Sequence, residues 1–142
     1  IGSRYDFATI KYSIEDTPRG NYVEVVDLKN GAALMFDTVE RGGNTTVKIT
    51  PDGPFSSEGM FLLPSGMVYE MNTTAVYSGM IWVAIAYDDT ELSKAQENAL
   101  KLKCYDSATS EWEDITIDTD IENNIIYGQS IHLSFFAVNI SP

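Results

Sequence analysis

The chain is 142 residues long, the size of one domain, and its 44% hydrophobic and 11% aromatic content is enough for a real core, which argues against disorder. Acidic residues number 21 against 9 basic ones, a net charge of −12 that repels phosphate backbones and anionic lipid, so nucleic-acid and membrane-surface partners do not fit. The single cysteine, Cys104, excludes an internal disulfide, and no apolar run reaches the ~18 residues that a spanning helix needs.

Ile1-Gly2-Ser3 reads as a cloning remnant, and residues 1–142 as a single module taken from a longer protein. Tyr5 to Ile14 alternates, with Ala8, Ile10, Tyr12 and Ile14 predicted as the core face of a first strand and residues 15–21 as the loop after it. Tyr22 to Leu28 is the next strand. Asn30-Gly31 is a strong hairpin signal, since a type I′ turn needs positive φ at both central positions. Ala32 to Val39 follows, and the turn Arg41-Gly42-Gly43-Asn44 leads into Thr45 to Thr50. Pro51 to Gly59 reads as an irregular connection and Met60 to Leu63 as a short strand. Met67 to Met71 and Ala75 to Tyr77 are extended pieces. Met80 to Tyr87 is nearly all apolar, which predicts an interior strand covered on both faces, with Trp82 in the core.

The period changes after Asp88-Asp89. One short helix is predicted near residues 91–99, with Ser93 and Gln96 spaced as a capping box and Leu92, Ala95 and Ala99 on one face. Strand alternation resumes at Leu100 to Tyr105, with Leu100, Leu102 and Cys104 inward, so Cys104 reads as a structural thiol. A turn at Asp106 to Ser110 leads into a strand from Glu111 through Ile117, and Asn123-Asn124 turns into Ile125 to Tyr127. Gly128 should bend or bulge the chain before a long last strand, Ser130 to Ile140. Short strands broken by frequent turn signals, with almost no helix, predict an all-β fold, an antiparallel β-sandwich.

The last strand carries the only histidine. On a continuous strand His132 and Ser134 share one face, their Cβ atoms roughly 6.5–7 Å apart. With a local kink, His132 would serve as base and Ser134 as nucleophile on the carbonyl of Leu133, an N-to-O acyl shift that cuts between Leu133 and Ser134. The alternative is that both are ordinary polar members of a half-exposed strand. A triad acting on other molecules lacks a Gly-x-Ser-x-Gly elbow.

No cofactor is expected. Asp88-Asp89-Thr90-Glu91 and the run Asp114, Asp118, Asp120, Glu122 offer oxygens to Ca²⁺, but neither has EF-hand spacing, and solvated turns account for them equally. One Cys and one His cannot furnish a zinc tetrahedron without carboxylates. Trp112, between Glu111 and Glu113, is the candidate platform for a sugar ligand. Asn44-Thr45-Thr46 and Asn72-Thr73-Thr74 echo each other and match the N-glycosylation sequon, as Asn139-Ile140-Ser141 does, although β-turn chemistry followed by β-branched strand residues explains the first two as well.

His132-Leu133-Ser134-Phe135-Phe136-Ala137-Val138 resembles the cleavage motif that closes the autoproteolysis-inducing (GAIN) domain of adhesion receptors, and is similar to the His-Phe-Ser site of the ZU5 family. The paired cysteines of the receptor motif are missing. A broader resemblance runs from Phe36-Asp37-Thr38-Val39 through Gly42 to Val47, Thr73 to Gly79, Trp112 to Thr116 and Phe136-Ala137. It is to β-sandwich modules of large secreted or surface-anchored bacterial and archaeal proteins, found beside dockerin, cohesin or adhesin-type domains. These resemblances imply an extracellular or cell-surface setting and a non-catalytic accessory role, with neighbouring domains, other surface proteins or glycans as partners. Self-cleavage through His132, Leu133 and Ser134 and carbohydrate binding are the alternatives.

Overall fold

The computed structural model describes residues 11–27, 30–50 and 67–140. They form two antiparallel sheets and one short helix, an all-β sandwich-like fold. The strands are β1 (Lys11–Thr17), β2 (Gly20–Asp27), β3 (Ala32–Arg41), β4 (Gly43–Thr50), β5 (Val68–Thr73) and β6 (Val76–Ala86). After the helix α1 (Lys94–Asn98) come β7 (Lys101–Asp106), β8 (Glu111–Asp114), β9 (Thr116–Asp120), β10 (Ile125–Ser130) and β11 (Phe135–Asn139). One sheet is ordered β1-β4-β5-β11-β7-β8 and the other β2-β3-β6-β10-β9, so the chain passes repeatedly from layer to layer.

Period-two alternation builds the core between the layers. Val23, Val25, Leu34, Phe36, Ile81, Val83, Ile85 and Ile126 come from the five-stranded sheet, and Val47, Ile49, Met71, Leu102, Cys104, Phe136 and Val138 from the six-stranded one. The predicted connection at 51–59 and the strand at 60–63 lie outside the described residues.

Several expectations need correction. Ala8 and Ile10 are outside the described residues, but Tyr12 and Ile14 are 57% and 59% exposed, and the strand continues to Thr17 instead of ending in a loop at residue 15. The other parity, Ser13, Glu15 and Thr17, faces inward because it has polar partners there: the Ser13 hydroxyl donates to Asp27 (3.0 Å) and Thr17 lies 2.6 Å from the Thr45 hydroxyl. The Asn30-Gly31 hairpin exists, but only Gly31 has positive φ (70°). The turn is not type I′; buried Asp27 accepts from Asn30 through both its backbone N–H (3.2 Å) and its side-chain amide (2.6 Å).

The helix has the predicted capping box, with Gln96 N–H donating to Ser93 Oγ and Ser93 N–H to Gln96 Oε1. Its buried residue, however, is Glu97, 4% exposed, held by the Tyr87 hydroxyl at 3.0 Å, while Ala95 is exposed. Glu111 to Ile117 is not one strand. At Ile115 the chain changes layers, its N–H donating to Leu102 in one sheet and its carbonyl accepting from Gln129 in the other. Gly128 sits at the predicted bulge, in the β9–β10 register shift.

The echo between the two sequon triplets has a structural meaning. Thr45 pairs with Thr73 and Thr46 with Asn72 across β4 and β5, and the Thr45 hydroxyl donates to that of Thr73 at 3.0 Å. A hydroxyl cluster thus seals this end of the sheet, where Gly43 passes so close to Thr74 and Ala75 that a Cβ would fall within 2.7 Å of their atoms.

Candidate functional site

The expected strand from Ser130 to Ile140 is interrupted. β10 ends at Ser130 in the five-stranded sheet, β11 begins at Phe135 in the six-stranded one, and residues 131–134 cross between layers. The cause is a local knot: the buried Ser130 hydroxyl donates to the His132 carbonyl (2.9 Å) and accepts from the His132 N–H (3.3 Å). Backbone groups satisfied this way are withdrawn from the ladder. His132 and Ser134 are therefore not successive same-face residues of one strand, and the spacing drawn from a strand does not apply. Leu133 packs partly against the core, and its backbone hydrogen-bonds the Tyr77 hydroxyl. The Ser134 carbonyl accepts from Met71 N–H at 2.9 Å. Among the described residues no hydrogen bond joins His132 to Ser134.

His132 instead enters a cleft of about 390 Å³ between the layers, lined among others by Cys104, Asp106, Glu113, Gln129 and Ser130. The β7–β8 hairpin explains the grouping. Cys104 pairs with Glu113 and Asp106 with Glu111, which puts Asp106 and Glu113 diagonally on the face that Cys104 presents inward. One ligand atom from each of Asp106, Glu113 and His132 lies within 4.8 Å of the others, and His132 Nδ1 is 3.9 Å from Cys104 Sγ.

The two carboxyl groups hydrogen-bond each other, and their affinities for protons are driven apart. Asp106 is lowered, first by the Ala108 N–H (2.9 Å) and then by the bond with Glu113; Glu113 is raised by that same bond. Cys104 is 2% exposed, and burial pushes its thiol up to about 12, so it is an inert structural cysteine, as its place among Leu100 and Leu102 predicts.

Three acids of the acidic runs hold turn residues. Asp88 caps Thr90 through both N–H and hydroxyl, Asp114 caps Thr116, and Asp120 holds Asn123 through its N–H (3.2 Å) and amide (2.8 Å). The grouping of Asp106, Glu113 and His132 is not visible in the sequence alone. The first two can be paired by counting across the predicted turn at 106–110, but His132 arrives only through the crossover.

A second surface lies on the outer face of the five-stranded sheet. The sequence places Trp82 in the core, but it is 37% exposed, because in this part of its strand it is Ile81, Val83 and Ile85 that point inward. An all-apolar run suggested cover on both sides, yet among the described residues nothing covers this face. Met35 pairs with Trp82, Ala33 with Ala84 and Ala84 with Tyr127, so two small alanines form a floor beside Trp82 and Tyr127. Between them is a hollow of about 160 Å³, with Glu24 at its edge. A second hollow, about 240 Å³, continues past Val26 and Ile125. The Trp82 indole N–H donates to Asp37 Oδ1 at 3.3 Å, while Asp37 Oδ2 accepts from Met80 N–H at 2.8 Å, which fixes the ring edge to the backbone. Trp112 is different: it is half-buried, with its ring edge-on to Tyr105 at 5.4 Å.

Comparison with protein-family models, curated proteins and solved structures found no match.

Proposed function

We propose that this chain is a non-catalytic accessory module of a secreted or cell-surface protein, and that it holds a neutral glycan on the open face of its five-stranded sheet. The observation that carries the reading is the Trp82 platform. A large aromatic ring, anchored at its edge by Asp37, lies open beside Tyr127 over a floor of Ala33 and Ala84. Sugars present apolar C–H faces that stack on such rings and hydroxyls that donate to flanking carboxylates, here Glu24 and Asp118, which sits opposite Tyr127. The net charge of −12 selects against polyanionic ligands. A fixed platform loses little freedom on binding. The non-catalytic part of the reading rests on His132 being turned toward Asp106 and Glu113 and on the buried, unreactive Cys104.

Affinity electrophoresis and calorimetry on neutral β-glucan, xylan and mannan test the ligand. Retarded migration is expected for the intact chain and for Trp112→Ala, with at least tenfold weaker binding for Trp82→Ala and Tyr127→Ala, each checked for folding by circular dichroism. Absence of binding to every polysaccharide, or unchanged binding by Trp82→Ala, overturns the glycan reading. Intact mass under denaturing conditions tests the non-catalytic part. One full-length species is expected, and a species ending at Leu133 would establish self-cleavage instead.

A further inference from the structure

We infer that Asp106, Glu113 and His132 form a site for one divalent transition-metal ion, with Zn²⁺ the best chemical match. The first two residues come from the β7–β8 hairpin of one sheet, and His132 is brought to it by the 131–134 crossover between the layers. Their ligand atoms lie within 4.8 Å of one another. Around a tetrahedral zinc, with bonds of about 2.0–2.2 Å, neighbouring ligand atoms are about 3.3–3.6 Å apart. The remaining contraction is within the reach of side-chain rotation, because Glu113 is exposed and Asp106 half-buried.

Three further observations distinguish this cluster from solvated acids. It contains an imidazole, which a mere acidic surface does not require. The backbone already orients the ligands: Ala108 N–H holds Asp106 Oδ1, and the Ser130 knot holds the His132 main chain, the kind of outer support that fixes metal ligands. Neither carboxylate has a Lys or Arg partner: the single ion pair among the described residues is Lys101 with Asp114 (3.9 Å). A dication would supply the countercharge that Lys and Arg do not.

The donor set selects the ion. One nitrogen and two carboxylates suit Zn²⁺ or its neighbours, whereas Ca²⁺ requires six to eight oxygens and gains little from imidazole. The cleft of about 390 Å³ leaves the fourth position open to water. This site lies between the layers, apart from the outer face that holds the Trp82 platform, so the two proposals fail independently.

Calorimetry of the full chain with ZnCl₂ or CaCl₂ alone, together with Co²⁺ absorption spectra, provides the test. Saturable 1:1 binding of Zn²⁺ is expected, with a rise in melting temperature and a tetrahedral Co²⁺ spectrum. Glu113→Gln and His132→Asn should each weaken Zn²⁺ at least tenfold, and the exposed Glu40→Gln should leave it unchanged. Glu113 is exposed, so Glu113→Gln remains decisive even if the His132 variant does not fold. No 1:1 binding, equal affinity for Ca²⁺, or unchanged affinity in Glu113→Gln overturns the assignment.

Discussion

Replacing Tyr87 by Phe removes one hydroxyl and asks how the five-residue helix is held. Tyr87 and Glu97 are 8% and 4% exposed, and their hydrogen bond is 3.0 Å long. A helix of one turn or so does not form unaided, so α1 depends on its capping box and on this bond. A hydrogen bond to a buried carboxylate contributes roughly 1.5–3 kcal/mol, because the acceptor left behind has no water to turn to. Tyr87→Phe should therefore cost about 2 kcal/mol at pH 7, and at about 3 °C per kcal/mol for a chain of this size the melting temperature should fall by about 6 °C. The pH dependence adds a second, independent reading. Burial first, and then the bond to Glu97, raise the Tyr87 hydroxyl far above the tyrosine range. The folded state thus holds this proton more tightly than the unfolded chain, which releases it near pH 10. The contribution is complete below pH 10 and declines as pH rises beyond it. Burial raises Tyr69 and Tyr77 as well, so the variant should keep part of the alkaline decline and lose the share due to Tyr87. Urea titrations followed by far-ultraviolet circular dichroism between pH 7 and 11 give both numbers. The gap between the two proteins should narrow above pH 10. A loss below 0.5 kcal/mol at pH 7, or a gap constant across the range, would refute the reasoning.

Thr45→Val keeps the shape and deletes a hydroxyl bonded to Thr17 (2.6 Å) and Thr73 (3.0 Å); a loss of about 1–3 kcal/mol in urea unfolding is expected, and a neutral result would mean the cluster is not structural. Gly128→Ala places a Cβ 2.8 Å from the Leu102 side chain and 2.9 Å from that of Ile115, so overpacking should cost about 1–3 kcal/mol, read from the same titration. With its thiol raised to about 12, Cys104 should react with iodoacetamide at least about a thousandfold more slowly in the native state than in urea at the same pH; comparable rates by mass spectrometry would contradict its burial.

Local chemistry was legible wherever it acts within a few residues. Ser93 with Gln96, the bulge at Gly128 and the inward parity of Leu100, Leu102 and Cys104 all follow from the sequence. Layer membership was not. Glu111 to Ile117 and Ser130 to Ile140 each look like one strand, because a change of layer alters the neighbours of a residue without altering its alternation. The breaks at Ile115 and at residues 131–134 depend on hydrogen bonds to Leu102, Gln129 and the Ser130 side chain, none of which periodicity records. Trp82 was hidden for a related reason: apolar residues on an uncovered face look the same as apolar residues in a core. The grouping of Asp106, Glu113 and His132 combines both difficulties, since it needs a correct hairpin register and a correct crossover.

The last of the described strands, Phe135–Asn139, is an inner stave of its sheet, seated between Val68–Thr73 and Lys101–Asp106. Until that segment has been synthesised, two neighbouring strands expose unpaired backbone edges, ready to capture any extended peptide. Closure waits on contacts between residues far apart in the chain, so maturation should be slow and all-or-none, and a nascent or truncated chain ending before residue 135 should be a target for chaperones or a seed for aggregation.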